Sequence, residues 1–365
     1  MTRLIVAAGG GGDAVAAAVL DAALYGGSGE PAVILTYAWD RLLVDPLPGP
    51  RGPDSFTGLA PLTRGVWTVP ASARPIAPAG STLPRLASEL PHTFALLDPR
   101  HGAAGITHQL DALVRHLRPK SIDLLDVGGD ILAKGDEPTL RSPLADALTL
   151  ASCYQLDRSI RLLIAGPGLD GEIPAVDLAD RMGPPILTLT ADHIEPISAV
   201  LEWHPSEATG MLAATARGAR GLCEVRDAGL PVPLTDQSPG LHEADLHQAL
   251  QRNELARALL PTETLGQAEQ RSRAICGYSE IDYERNKANW LNSQPNRKPD
   301  PTRTLHCLDE FQEEARHRGI THTTFRRITE ALGIVGKQRQ TLRKLLISHR
   351  PNQYEAPLWR ISPGA

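Results

Sequence analysis

The chain has 365 residues, with 37 Lys and Arg against 42 Asp and Glu and a formal net charge of −5 at pH 7. This length suggests two domains, or one large domain with an appendage, and the charge excludes a uniformly basic nucleic-acid-binding protein. The four cysteines lie too far apart for a disulfide scaffold or a structural zinc site: Cys153, Cys223, Cys276 and Cys307.

The two parts of the chain differ in charge. Residues 1–250 carry 18 basic and 29 acidic side chains, whereas residues 251–365 carry 19 basic and 13 acidic ones. Such an asymmetry predicts two parts with different partners. The sequence opens on an apolar run at residues 4–8, without the features of a signal peptide or of a transmembrane span. We therefore expect a cytoplasmic protein that does not enter a membrane.

The first forty residues predict a strand, a glycine turn, a helix and a second strand. The apolar runs at residues 4–8 and 32–35 flank a glycine run at 9–12 and an alanine-rich segment at 14–24. Continuous apolar strands separated by a helix are typical of a parallel sheet that is covered on both faces. Residues 45–91 are rich in proline and glycine, so we expect them to cross the surface with short strands.

Helices and strands alternate through the rest of the first 291 residues. The patterns predict helices near residues 104–117, 142–154, 175–181, 205–217, 242–260 and 283–291, and strands near 122–127, 160–165, 185–189, 222–226 and 232–234. This alternation predicts an α/β fold with a doubly wound, mostly parallel, Rossmann-like sheet between two helical layers. We expect this domain to span residues 1–291.

The last part of the chain has a different pattern. A polar, proline-containing linker is predicted at residues 292–303, followed by a small, mainly helical module at 304–365. Three helical patterns and a short apolar strand follow one another as in a winged helix: residues 305–318, 323–332, 337–349 and 357–361. The third helix carries three basic residues suited to contact DNA: Arg339, Arg343 and Lys344. The alternative, which we favour, is a module that packs on the first domain or on a second subunit in a homodimer.

The glycine run after the first strand is a candidate anion-binding loop. Gly10, Gly11 and Gly12 precede Asp13 at the predicted start of a helix. Backbone N–H groups and the positive end of the helix would face an anion there. The spacing matches the dinucleotide-binding fingerprint only loosely, because the nearest acidic candidate after the second strand is the distant Asp40. The alternative is a tight turn without a ligand.

Acidic residues follow two further strands of the predicted sheet. Asp126 ends one strand and Asp130 lies beyond a Gly-Gly turn, while Asp170 follows the next strand. Because the carboxyl ends of parallel strands meet at one edge of a sheet, we expect these side chains to share a crevice. Carboxylate oxygens suit Mg²⁺ and Mn²⁺, so we predict a site for either ion, which Glu137 completes. Asp146, in the first turn of the next helix, either joins this cluster or caps a turn.

Candidate catalytic residues lie near the helix predicted to begin at residue 205. His204 can act as a general base, a proton shuttle or a metal ligand, and Glu207 can move a proton. Lys134 completes the predicted catalytic set. The predicted binding site for the anionic substrate consists of Gly10, Gly11, Gly12, Asp13, Arg141 and Ser142. The alternative for His204 is a hydrogen-bonded residue that caps the helix.

Six motifs together resemble the bacterial and archaeal family known as domain of unknown function 1152. They are AGGGGD (8–13), DVGGDIL (126–132), SPLAD (142–146), GPGLDGE (166–172), WHPSEAT (203–209) and IDYER (281–285). The resemblance spans residues 3–290 and implies no activity. A weaker likeness, carried by residues 128–130 with Asp136 and Glu137, is to the D-glutamate cyclase domain, a metal-dependent α/β lyase. That likeness implies lyase or cyclase chemistry by analogy.

The sequence therefore predicts a divalent-metal-dependent enzyme that uses Mg²⁺ or Mn²⁺. Its substrate would be a small anionic metabolite with a carboxylate or a phosphate, and its reaction a lyase or cyclase step. A second hypothesis is a sensor of a metabolite or nucleotide whose basic C-terminal module binds DNA or a protein partner. A third is a nucleotide hydrolase, although the sequence lacks the lysine of a P-loop.

Overall fold

The computed structural model of the chain describes residues 2–26, 30–226, 230–293, 299–334 and 338–361. Its strands are β1 (Leu4–Gly10), β2 (Val33–Tyr37), β3 (Phe56–Thr57), β4 (Ala60–Thr63), β5 (Val66–Thr68), β6 (Arg74–Pro75), β7 (Thr93–Leu97), β8 (Ile122–Val127), β9 (Arg161–Ala165), β10 (Pro185–Thr188), β11 (Gly221–Val225), β12 (Leu230–Leu234), β13 (Gly240–Ala244), β14 (His322–Thr324), β15 (Tyr354–Glu355) and β16 (Leu358–Arg360). Its helices are α1 (Gly12–Tyr25), α2 (Leu83–Glu89), α3 (Gly102–Leu117), α4 (Pro143–Tyr154), α5 (Ala175–Leu178), α6 (Ala191–Ile194), α7 (Ser198–Leu201), α8 (Glu207–Ala216), α9 (Leu246–Arg252), α10 (Glu254–Leu259), α11 (Leu265–Cys276), α12 (Glu280–Ser293), α13 (Pro301–His317), α14 (Phe325–Ala331) and α15 (Arg339–His349).

A large sheet forms the centre of the first domain. Within the described residues it has nine strands in the order β10-β13-β9-β8-β1-β2-β7-β5-β4. The five central strands pair in parallel, and the strands added at both edges pair antiparallel, so that seven of the nine run in one direction. The chain runs outward from β1 to β7 and then returns to β8 and β9 on the other side. The predicted doubly wound, mostly parallel α/β fold is thereby confirmed, and the return opens a crevice between the carboxyl ends of β1 and β8.

Helices cover both faces of this sheet. Alternate residues of β1 belong to two separate apolar cores: Leu4 packs in a cluster with Leu110 of α3, whereas Ile5 packs in a cluster with Val19 of α1. Strands buried on both faces read as continuous apolar runs, which explains the pattern in the sequence. The result is a sheet between two helical layers, with the loops at the carboxyl ends of the strands left to form a site.

The structure differs from the sequence prediction at two strands of the large sheet. β7 lies just after the proline-rich segment, at residues for which no strand is predicted. β13 occupies the start of the helix predicted at 242–260. β13 pairs with β9, and α9 begins only after Asp245, whose side chain accepts a hydrogen bond from the N–H of Gln248. The predicted start of that helix is therefore wrong, because pairing with a neighbouring strand outweighs the local helical pattern.

The C-terminal segment builds onto the first domain through a second sheet. Its order is β12-β11-β14-β16-β15, and β11 pairs in parallel with β14 at Cys223 and His322. The elements α13, β14, α14, α15, β15 and β16 follow one another as in a winged helix, and Trp359 lies at the centre of their apolar core. Residues 294–298 of the predicted linker lie outside the described residues. In the part of the chain that the structure describes, no helix is both long and apolar enough to cross a membrane.

Candidate functional site

A cavity of about 100 Å³ lies at the carboxyl ends of β1, β8 and β9. The starts of α1, α4, α8 and α12 close its sides. Its walls are strongly acidic among the described residues, because ten carboxylate side chains line it: Asp13, Asp40, Asp126, Asp130, Asp146, Asp170, Glu172, Glu207, Glu280 and Glu284. The cationic side chains on the same walls are Arg41 and Arg226.

The glycine run brings three walls of the cavity into contact. A Cβ atom on Gly10 would lie 2.3 Å from the backbone oxygen of Trp39, and one on Gly12 would lie 2.3 Å from the hydroxyl oxygen of Ser206. Only glycine fits at both positions. Gly11 is the N-cap of α1 and, as a glycine, provides no side chain to cap the first N–H groups of that helix. These N–H groups have no acceptor within their own helix, which suits them to bind an anion.

Three buried aspartates converge on one point of the cavity. Asp13, Asp126 and Asp146 each place a carboxylate oxygen within 4.8 Å of the others. Asp13 accepts a hydrogen bond from the N–H of Gly9 and Asp126 accepts one from the N–H of Gly129, each at 2.8 Å. Oδ1 of Asp146 is buried without a partner. Oxygens about 2.1 Å from Mg²⁺ in an octahedron lie about 3 to 4.2 Å apart, so small side-chain movements from the 4.8 Å limit would let this cluster hold one divalent cation.

Burial raises the pKa of every carboxylate of this cluster, and the charges of neighbouring carboxylates raise the pKa of Asp126 and Asp146 further. Burial raises the pKa of Asp13 to about 7, and burial with the charges of Asp13 and Asp170 raises the pKa of Asp126 well above its ordinary value. Burial and neighbouring carboxylates likewise raise the pKa of Asp130 and of Asp146. Carboxylates crowded out of water either bind protons or share a cation. A divalent ion would replace the protons that this cluster otherwise holds.

Asp170 faces the cavity from the turn after β9. Its Oδ1 atom accepts a hydrogen bond from the N–H of Glu172 at 2.8 Å, whereas its Oδ2 atom is buried without a partner. Glu172 has no free oxygen, because it accepts hydrogen bonds from the N–H groups of Arg141 and Ser142 and pairs with Arg226 at 3.0 Å. Asp170 is therefore available to a ligand, and Glu172 fixes the start of α4.

His204 presents a hydrogen-bond donor to the cavity. Its Nδ1 atom accepts a hydrogen bond from the N–H of Ser206 at 3.3 Å, which places the proton of the neutral ring on Nε2. Nε2 is buried without a partner, and burial lowers the pKa of His204 to about 3. The ring is therefore neutral at pH 7 and is suited to donate to a substrate oxygen. The predicted roles of His204 as a general base or metal ligand at Nε2 would require the other tautomer.

Glu207 lines the cavity at the start of α8, but both of its oxygens are engaged. Oε1 accepts hydrogen bonds from the hydroxyl of Thr324 and from the N–H of Arg226, and Oε2 pairs with Arg326 at 3.2 Å. Burial raises the pKa of Glu207, but the Arg326 charge and the Thr324 hydroxyl outweigh it and hold that pKa below its ordinary value. Glu207 is thus an ionised anchor for the C-terminal module.

Three of the predicted site residues lie outside the cavity lining. Glu137 accepts hydrogen bonds from the N–H groups of Lys134 and Gly135 and pairs with Arg181 at 3.1 Å, so it stabilises its own loop. Lys134 is exposed. The guanidinium of Arg141 donates to backbone oxygens of the same loop, and the cavity wall there is formed by Ser142.

The structure adds residues that the motifs did not assign to the site. Glu280 and Glu284 lie one turn apart at the start of α12, and Oε2 of Glu280 is buried without a partner. Glu284 accepts hydrogen bonds from the indole N–H of Trp39 and from the N–H of Gly49. The sequence signal that could have identified them is their spacing of four residues, which places both on one face of a helix beside the IDYER motif.

Comparison with known proteins supports a family and no activity. No curated protein and no solved structure matches the chain significantly. The weaker likeness to the D-glutamate cyclase domain is not shown by these comparisons. A family model described as "Protein of unknown function (DUF1152)" matches residues 4–288. The chain belongs to this family.

Proposed function

We propose that the protein is a divalent-metal-dependent enzyme that acts on a small anionic metabolite. The observation that carries the proposal is the cluster of Asp13, Asp126 and Asp146, with Oδ1 of Asp146 buried and unpartnered. A buried carboxylate without a partner is costly, so a cation at this point explains why three of them are kept together. Mg²⁺ and Mn²⁺ are the ions that such oxygen ligands suit.

The other walls of the cavity support an anionic substrate. The uncapped start of α1, the start of α4 at Ser142 and the start of α8 at Ser206 all border the cavity. Helix N-termini favour negative charge. An anion entering this acidic cavity would need a cation beside it. The start of α1, which no side chain caps, would offer N–H groups to the same anion, whereas Glu172 already binds the start of α4 and the side chain of Ser206 caps α8.

Each residue of the site then has a role. Asp13, Asp126 and Asp146 would hold the cation, which when bound would supply Lewis-acid polarisation of a carbonyl or phosphoryl oxygen. The Nε2–H group of His204 donates to a substrate oxygen, and Oδ2 of Asp170 exchanges a proton with the substrate. These roles suit lyase or cyclase chemistry, in which a proton moves as a bond forms or breaks beside a polarised group.

The second candidate, a sensor whose C-terminal module binds DNA, is favoured by the winged-helix order of elements. The positions of the basic residues on α15 are less favourable for DNA binding. Arg343 donates to Glu202 of the first domain and Arg339 is half-buried, while Lys344 is exposed. Because the face of α15 that carries Arg343 meets the first domain, we give the enzyme precedence. The predicted homodimer would use the face of the C-terminal module that points away from the first domain.

Thermal melting of chelator-treated protein, titrated with Mg²⁺, Mn²⁺, Ca²⁺ and Zn²⁺, tests the enzyme proposal. A ligand of the native state adds about 2.7 kcal/mol at a hundredfold excess over its Kd. We expect Mg²⁺ or Mn²⁺ to raise the Tm of the wild type, and Asp126→Asn to lose this rise. Glu137→Gln is the matched control, because this acidic residue lies outside the cavity lining and should leave the rise intact. No rise with any of the four ions would contradict the proposal.

A further inference from the structure

The segment at residues 202–207 forms one wall of the cavity and carries His204. It joins α7 to α8, and the C-terminal module holds it at both ends. At its start, Oε2 of Glu202 accepts hydrogen bonds from the hydroxyl of Tyr354 and, at 3.2 Å, from the guanidinium of Arg343. Tyr354 and Arg343 lie on β15 and α15, so both contacts come from outside the part of the chain that matches the family.

At the end of the same segment the module makes a more buried contact. Glu207 accepts a hydrogen bond from the hydroxyl of Thr324 and forms an ion pair with Arg326 at 3.2 Å. The side chains of Arg326 and Glu207 are 16% and 12% exposed, whereas that of Glu202 is 49% exposed. Exposed ion pairs contribute little, but removing one partner of a buried pair leaves an uncompensated charge. Of the two contacts that the module makes with the segment, the one at Glu207 is therefore the stronger, and it adds to the hydrogen bond that the indole N–H of Trp203 donates to Glu89 of the first domain.

The module also contacts the helix that follows the segment. The guanidinium of Arg217, at the end of α8, donates to the backbone oxygen of Ala356 at 2.9 Å. A Cβ atom on Gly210 would lie 3.0 Å from Pro357, so the turn between β15 and β16 packs directly on α8. The C-terminal module thus contacts both the segment and its helix, in addition to the first domain, where the hydroxyl of Thr209 on α8 donates to the backbone oxygen of Gly12.

We propose that the C-terminal module positions His204 in the cavity, with Arg326 and Thr324 as its main positioning residues. Oε1 of Glu207 accepts a hydrogen bond from the hydroxyl of Thr324, and Oε2 forms an ion pair with Arg326. His204 lies three residues before Glu207, and its Nε2 atom is buried. The function of His204 as a donor to substrate rests on the proposed function. The support of His204 by the module does not, because it follows from the contacts alone.

The reactivity of His204 with diethyl pyrocarbonate tests the proposal. This reagent modifies neutral imidazole nitrogens that solvent reaches, and mass spectrometry gives the rate at each histidine. We expect His204 to react slowly in the wild type and about fivefold or more faster in Arg326→Gln, because the segment opens locally. His306, whose side chain is 72% exposed, is the internal reference and should react equally in both proteins. Arg326→Lys keeps the charge and should restore most of the protection.

Arg318→Gln is the matched control variant. It removes a different ion pair between the module and the first domain, the one from Arg318 to Glu224 at 2.7 Å, without touching residues 202–207. Protection of His204 that is equal in the wild type and in Arg326→Gln would overturn the proposal. So would an equal loss of protection in Arg318→Gln, which would indicate general loosening.

Mn²⁺ affinity separates this proposal from the proposed function. The three aspartates that would hold the ion lie on other elements, so Arg326→Gln should bind Mn²⁺ with an affinity within about twofold of the wild type. Loss of Mn²⁺ binding in this variant would overturn a local positioning role. A wild type that binds no Mn²⁺ would count against the proposed function alone, and the reactivity of His204 would still decide the role of the module.

Discussion

Gly128 and Asp170 lie so close together that a Cβ atom on Gly128 would sit 2.4 Å from Oδ2 of Asp170. Gly128 also has a φ of +117°, which residues with a side chain rarely adopt. The same Oδ2 atom is buried without a partner beside the cavity. The turn after β8 and the turn after β9 are therefore fitted to each other around one carboxylate of the site.

Gly128→Ala should displace the Asp170 carboxylate and lower the free energy of unfolding by about 1 to 3 kcal/mol. Urea denaturation measures the loss. Gly277→Ala is the control, because Gly277 also has a positive φ of 78° but a Cβ there would meet nothing within 4 Å. The control should cost less, since it adds backbone strain alone. Equal costs for the two variants would show that the contact with Asp170 is unimportant.

Asp146→Asn should affect stability with opposite signs in the absence and presence of a cation. Without metal, burial and the charges of Asp126 and Asp13 raise the pKa of Asp146, and its Oδ1 atom has no partner. The neutral amide removes the repulsion and can donate to a neighbouring carboxylate, so we expect about 1 kcal/mol of added stability in chelator. With saturating Mn²⁺ the variant should be less stable than the wild type. Chemical denaturation under both conditions checks this, and a loss of stability in chelator would contradict it.

The pH dependence of the metal-free protein should differ in sign from ordinary acid denaturation. Burial raises the pKa of both Asp13 and Asp170 to about 7, against an unfolded value of about 3.9. Between these values the folded state binds more protons than the unfolded state, so the stabilisation is complete near pH 4 and is lost as the pH rises through 7. Urea unfolding in chelator from pH 5 to 7.5 should show this fall, and saturating Mn²⁺ should flatten it. Stability that rises over the same range in chelator would refute the expectation.

The acidic residues show what the sequence could predict about the site. Asp126 lies near the end of β8 and Asp170 in the turn after β9, and the rule that ligands bind at the carboxyl ends of parallel strands brings them to one cavity. Asp146 and Glu280 reach it from the starts of two helices, and the packing of a helix on a sheet is not written in its local pattern. Glu137 has the right chemistry beside the right strand, yet neighbouring N–H groups hold it in its own loop.

The fold shows the same division between local and distant signals. β8 is predicted with its observed ends, because its six residues IDLLDV are buried throughout and four of them are apolar. β13 is not predicted, since its identity depends on pairing with β9, about eighty residues earlier in the chain. The docking of the C-terminal module depends on β11 and β14, which pair across nearly one hundred residues. No window of sequence holds both partners of such a contact.

Glu224→Gln should weaken the attachment of the C-terminal module more than the loss of an exposed ion pair would. Glu224 lies on β11, its side chain is 0% exposed, and it pairs with Arg318 at 2.7 Å and with Arg327. The variant removes the charge of Glu224 beside the largely buried Arg327, and removing one partner of a buried pair costs about 3 to 5 kcal/mol. We expect faster hydrogen exchange throughout residues 301–334 and 338–361, with the large sheet less affected. Asp236→Asn is the control, because it removes the exposed ion pair to Arg220 and should leave hydrogen exchange nearly unchanged. A similar change of exchange in the two variants would mean that Glu224 does not hold the module in place.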